Sequence, residues 1–138
     1  MRRLVLDRPA LSTVALLASV LLVSACQDFA EGDAAKGKAA FTAKCALCHQ
    51  VGEGAMPLIG PPLNGIVGQK AGAFPGFAYT PGFKEIFADT TWSDKNIDPW
   101  IANPTALVPT SPMASAFVGI PEAGERVDII AYLKTIPK

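Results

Sequence analysis

The clearest periodic signal lies near the end of the chain. Ile129, Tyr132, Leu133 and Ile136 recur at i, i+3, i+4 and i+7, the spacing that places apolar side chains on one helical face. Glu122 and Glu125 precede or open this stretch and Lys134 and Lys138 close it, which suits the helix dipole. A second helix is expected from Asp33, a good N-cap, through Ala34, Ala35, Lys36, Lys38, Ala39, Ala40 and Phe41 towards Cys45. Gly37 interrupts it at a cost of about 1 kcal/mol relative to alanine, so a glycine there points to close approach of another backbone. Phe41 is four residues on and shares its face. A third helix follows Ser93 through Ile97, Trp100 and Ile101, and Asn103-Pro104 stops it. Residues 51–81 are broken by Gly60-Pro61-Pro62, Gly65, Gly68, Gly72, Pro75-Gly76 and Pro81, which reads as loop and turn rather than sheet. Short helical turns are expected at 63–67 and 81–87, and a proline-rich loop from 107 to 121.

One apolar run stands apart from these elements. Residues 10–25 are apolar or small throughout, and Arg2 and Arg3 precede them. Sixteen residues fall short of the ~18–20 that span a bilayer comfortably, so 1–25 reads as an export signal rather than a membrane anchor. Its end, Val23-Ser24-Ala25-Cys26, resembles a bacterial lipobox, in which cleavage leaves Cys26 as a lipidated first residue. Gln27 follows, so the Asp associated with inner-membrane retention in some bacteria is absent. Ordinary signal-peptidase cleavage is the rival, because Val23 and Ala25 also satisfy its small-residue rule. Residues 26–32 form a short polar tether that reaches at most ~25 Å when extended.

Composition adds two constraints. Twelve glycines and twelve prolines in 138 residues argue for a loop-rich single domain, here 33–138. The formal net charge is zero, so nothing points to nucleic acid.

Cysteine usage then supplies the chemistry. Cys45-Ala46-Leu47-Cys48-His49 is the Cys-x-x-Cys-His sequence that attaches haem c. Two thiols reach two vinyl groups on one edge of the macrocycle, and the next residue turns its imidazole beneath the iron. A structural zinc site needs four ligands, and the body of the chain offers only Cys45, Cys48 and His49. A thioredoxin-like pair would need a βαβ setting, and a plain disulfide across two residues would be strained. With Cys45 and Cys48 consumed, Cys26 would be a stray thiol in an oxidising compartment unless it is lipidated. His49 is the only histidine, which excludes bis-histidine ligation and several haems. Beyond the initiator there are two methionines. Met56 is too near His49 in sequence to cross the haem easily, whereas Met113 lies 64 residues on, in a loop stiffened by Pro109 and Pro112. Met113 is either a packing residue or the distal iron ligand; the ligand is the expected reading, since Met/His ligation is a common electron-transfer arrangement.

Together these features resemble a class I c-type cytochrome, the monohaem type of bacterial periplasms and mitochondria, from Gly32 to Lys138. The resemblance implies an all-α cytochrome c fold, with three main helices and long Gly/Pro-rich loops around one covalent haem c. In it Gly37 and Phe41 pack against the last helix at Tyr132 and Leu133. Gly60-Pro61-Pro62-Leu63-Asn64-Gly65-Ile66-Val67-Gly68 resembles the family's loop after the haem motif, which implies that the Pro61 carbonyl accepts a hydrogen bond from His49. Tyr79 and Trp92 resemble residues that hydrogen-bond a haem propionate; their alternative is core packing. Asn103-Pro104 and Pro109-Thr110-Ser111-Pro112-Met113 resemble the approach to the methionine ligand. Two departures stand out: Gln69 replaces the usual basic residue after Gly68, with Lys70 next, and the stretch from Met113 to Phe117 is longer than the common spacing.

The implied function is outer-sphere electron transfer by a monomeric carrier in a periplasmic respiratory or photosynthetic chain, not catalysis. The expected partners are redox proteins, with the membrane reached through the N-terminal lipid. The competing readings are a haem-bearing subunit of a larger membrane complex and a five-coordinate haem enzyme acting on peroxide or a small gas. A peroxidase would want a distal histidine, and none is left. No charge occurs from 107 to 118, so the expected docking face is neutral and its association weakly salt-dependent.

Overall fold

The computed structural model describes residues 31–138; the expected export signal of 1–25, Cys26 and most of the expected 26–32 tether lie outside the described residues. Six helices follow in order: α1 (Ala34–Lys44), α2 (Pro81–Ile86), α3 (Asp94–Ala102), α4 (Pro104–Leu107), α5 (Pro112–Ala116) and α6 (Ala123–Thr135). The three longest are those the periodicity predicts. No strand occurs among the described residues; a single antiparallel bridge joins Lys70 to Thr91.

α1 and α3 start where side-chain hydrogen bonds at their first turns place them. The Asp33 carboxylate accepts hydrogen bonds from the amides of Ala35 and Lys36, which hold its pKa below the usual carboxylate value. At the start of α3 the Ser93 amide donates to the Asn96 side-chain oxygen at 2.8 Å, the reach-back bond of a capping box. α1 and α6 pack against each other, and the crossing is built on Gly37. A Cβ there would overlap the carbonyl of Asp128 and crowd Tyr132. One turn on, Phe41 meets Tyr132 with ring centroids 5.5 Å apart. The Asp33 amide also donates to the Asp128 carboxylate at 2.7 Å, which ties the start of α1 to the middle of α6. The close crossing expected at Gly37 is therefore present.

Two local expectations need correction. The segment 107–121 is not loop throughout: α4 ends at Leu107 and α5 lies inside it. The prolines responsible start helices as well as stop them. Asn103 caps α4 with Pro104 at its first position, and Ser111 caps α5 with Pro112 at its first position. Residues 63–67 make hydrogen-bonded turns rather than a helical segment, because Gly65 and Gly68 take positive φ. In α6 the buried set is Ile129, Ile130 and Leu133, while Ile136 is the C-cap. α6 packs against α3 as well as α1, so it buries more than one stripe, and the second holds Ile130.

Two groups of side chains surround the centre of the molecule. One is aliphatic, from Ile97, Ile101, Val108, Ile120, Ile129 and Leu133. The other is aromatic: Phe83, Phe87, Trp92 and Trp100 pack at centroid distances from 4.9 to 6.4 Å in tilted and edge-on pairs. Between them they leave a large cavity open on one side.

Candidate haem site

The cavity encloses about 1260 Å³ counting the solvent space of its open mouth. The end of α1 and the turn after it bring Cys45, Cys48 and His49 to its wall. The N–H groups of Cys48 and His49 both bond to the Cys45 carbonyl, at 3.0 and 2.9 Å, so the three residues lie on one tight turn. Cys45 and Cys48 are not joined to each other in a disulfide. Burial, with smaller contributions from Cys48 and Glu125, pushes the Cys45 thiol up to about 11.

His49 is fixed from two sides. Its Nδ1–H donates to the Pro61 carbonyl at 2.7 Å, which leaves the Nε2 lone pair free for a metal. Gly60 lies against the ring so closely that a Cβ would overlap the imidazole. The Gly60 amide donates to the Cys48 carbonyl at 2.9 Å, which locks that glycine to the thiol turn. Burial pushes the His49 pKa down and the Pro61 bond pushes it back up, so the neutral imidazole that a metal requires is favoured.

Met113 enters the same cavity from α5, an element remote from His49 in sequence. Its amide bonds to the hydroxyl of buried Ser111 at 3.2 Å. Met56 is 64% exposed and is not among the lining residues. Tyr79 and Trp92 both line the cavity and both belong to the aromatic group: Tyr79 stacks on Phe83 at 5.1 Å, and Trp92 packs on Phe87 at 5.0 Å. Burial raises the Tyr79 pKa, opposed by a backbone hydrogen bond from Phe74.

The two departures also acquire positions. Gln69 donates from its side chain to the Asn64 carbonyl at 3.0 Å, and Lys70 pairs with exposed Asp89 at 3.9 Å; neither lines the cavity. Phe117 does line it, directly after α5, so the longer spacing still brings this ring inward. Gly60 and Trp100 are site residues that sequence reasoning leaves without a role. Gly60 was visible only as a loop glycine, and Trp100 only as a core position of α3.

The family pattern described as cytochrome c matches residues 34–137. This chain belongs to the cytochrome c family. A cytochrome c2 of Rhodomicrobium vannielii is 40% identical over 122 residues, covering 88% of this chain and 93% of that protein. A cytochrome c-550 of Ancylobacter novellus is 42% identical over 102 residues, covering 73% and 92%. A cytochrome c-554 of Methylosinus trichosporium is 39% identical over 124 residues, covering 89% and 90%. The cytochrome carries one covalent haem c, and it is an electron carrier rather than an enzyme. The site fits that group on its own terms. Two thiols, one oriented imidazole and one thioether face a single apolar cavity, and a glycine makes room beside the imidazole.

Proposed function

We propose that this cytochrome passes single electrons between redox proteins outside the cytoplasm through a haem c attached at Cys45 and Cys48, with His49 and Met113 as axial ligands. The supporting observation is that the four side chains meet at one apolar cavity, although Met113 stands 64 residues beyond His49. When bound, the haem supplies one-electron chemistry between ferric and ferrous iron. The residues do the rest. Pro61 and Gly60 hold the imidazole in one orientation, and Ser111 holds the start of α5. Phe83, Trp92, Trp100 and Ile101 keep water from the cavity and disfavour extra positive charge inside it. Tyr79 and Trp92 are assigned to the propionate side, where a phenol and an indole N–H can donate to carboxylates.

The partner side is the open mouth. The three segments that supply most of its wall, 45–69, 71–83 and 99–121, contain one Asp, Glu, Lys or Arg among them, Glu53. Lys44 is the one ionic residue of the lining apart from His49, and it sits 3.6 Å from Glu125. Ile59 and Val118, beside the lining Phe117, are 59% and 96% exposed. We assign this uncharged rim to docking with the electron donor and acceptor. The 1–25 export signal, lipidation of Cys26, the 26–32 tether and a folded domain from 33 to 138 complete the reading: a periplasmic carrier held close to a membrane.

The decisive test is optical. The ferric holoprotein should show a weak thioether-to-iron charge-transfer band that Met113→Ala abolishes while Met56→Ala leaves it in place. A band that survives Met113→Ala, or carbon monoxide binding to the untreated ferrous protein at diffusion-like rates, would overturn six-coordination. Mass spectrometry of the mature N-terminus reads the state of Cys26.

A further inference from the structure

Arg126 occupies an unusual position. It lies at the end of the first turn of α6, where a cation is unfavourable to the helix dipole. Its gain comes from elsewhere. The guanidinium donates from Nε to one oxygen of Asp98 at 2.8 Å and from Nη2 to the other at 3.3 Å. Nη1 donates to the carbonyls of Ile120 at 3.0 Å and Pro121 at 2.8 Å. The side chain is 13% exposed, so these bonds are largely shielded from water. One residue of α6 is thereby tied both to α3 and to the chain that returns from α5.

That return is the far anchor of the segment bearing Met113. Ile120 is fully buried, and its amide donates to the Ile101 carbonyl at 2.9 Å. Gly119 takes φ +93° and lies so close to Ala102 that a Cβ would overlap its carbonyl. The near anchor is Ser111 with Val108 behind it. Between the two anchors Ser115, Ala116 and Val118 are exposed, and Thr105 adds a side-chain bond to the Ala114 carbonyl at 2.9 Å. For Met113 to leave the cavity, α5 must swing out about these two anchors. Local opening of this kind is governed by the contacts of the anchors rather than by global stability.

We infer that Arg126 is a positioning residue for the distal ligand: by clamping the Ile120 and Pro121 carbonyls to Asp98, it restrains the opening that would release Met113. This rests on the reading of Met113 as the axial ligand.

The test uses the full-length ferric holoprotein with imidazole as incoming ligand, and follows loss of the charge-transfer band. Lys134→Met is the control. Lys134 joins the same two helices through Asp94 but touches no carbonyl of the returning segment. Arg126→Gln should take up imidazole at least tenfold faster than the unsubstituted protein, whereas Lys134→Met should exchange at the original rate despite a lower melting temperature. Arg126→Lys retains the charge but cannot reproduce the planar fork, and should fall between. If Arg126→Gln does not accumulate as holoprotein, Arg126→Lys alone must exceed Lys134→Met in exchange rate. Equal rates in the arginine variants and the control would overturn the inference and leave Arg126 a purely structural ion pair. A missing band in the unsubstituted protein would instead overturn the Met113 reading and this inference with it.

Discussion

Glycine 60 shows how much chemistry a residue without a side chain can carry. The imidazole of His49 is held by one hydrogen bond from Nδ1–H, which fixes its tilt, and by the flat contact with Gly60, which fixes its depth. A methyl group at position 60 has to displace either the ring or the backbone joined to Cys48. Gly60→Ala should therefore destabilise the protein by about 1–3 kcal/mol, the usual cost of overpacking a filled site. It should also change the electron paramagnetic resonance spectrum of the ferric protein by reorienting the imidazole. An unchanged spectrum and melting temperature would show that the loop can yield without moving the ligand. At this scale the sequence was most legible where covalent chemistry sets spacing. Cys45, Cys48 and His49 announce themselves, and counting methionines leads to Met113. Gly60 and Arg126 were illegible because their roles are steric and long-range: nothing local distinguishes a glycine that clears a ring from one that only turns a chain.

Among the elements, the crossing of α1 and α6 converts a poor helix residue into a necessary one. In an isolated helix, alanine would be favoured over glycine by about 1 kcal/mol at position 37. Here the space for a Cβ is already occupied by the backbone of Asp128, which cannot rotate aside as a side chain can. Gly37→Ala is expected to lower stability by about 1–3 kcal/mol, because the steric cost exceeds the propensity gain. Thermal unfolding followed by circular dichroism measures this, and an equal or higher melting temperature would count against a tight crossing. The three long helices were readable from periodicity and caps. α4 and α5 were not, because Asn103-Pro104 and Ser111-Pro112 read equally as ends of one element and starts of another. A four- or five-residue helix is too short to show a period. Ile130 escaped for the opposite reason: α6 has two packing partners, and a template with one stripe finds only one of them.

For the molecule as a whole, the distribution of charge matters more than its sum. Formal neutrality conceals a division between long helices that carry most of the ion pairs and a cavity rim almost without charge. With no ring of like charge at the rim, long-range steering has little to act on, and contact must come from apolar fit. The second-order rate of electron exchange with a physiological partner should change less than about threefold between 50 and 500 mM salt, as read by stopped flow, a range over which steered encounters slow steeply. A steep decline would place the docking site elsewhere, on the lysine-bearing helices.

The Gly37 crossing also has a temporal consequence. Its hydrogen bond from Asp33 to Asp128 joins residues 95 apart, nearly the two ends of the domain. Closing a flexible loop of that length costs roughly 4 kcal/mol beyond a constant, and no gain is realised until the last helix has formed and docked. Ile129 and Leu133 of that helix form part of the cavity wall. Until that docking, Cys45 and Cys48 thus sit at the end of a helix without its partner, reachable from every side. The thiols come early in the order of synthesis and the wall that will shelter them comes last.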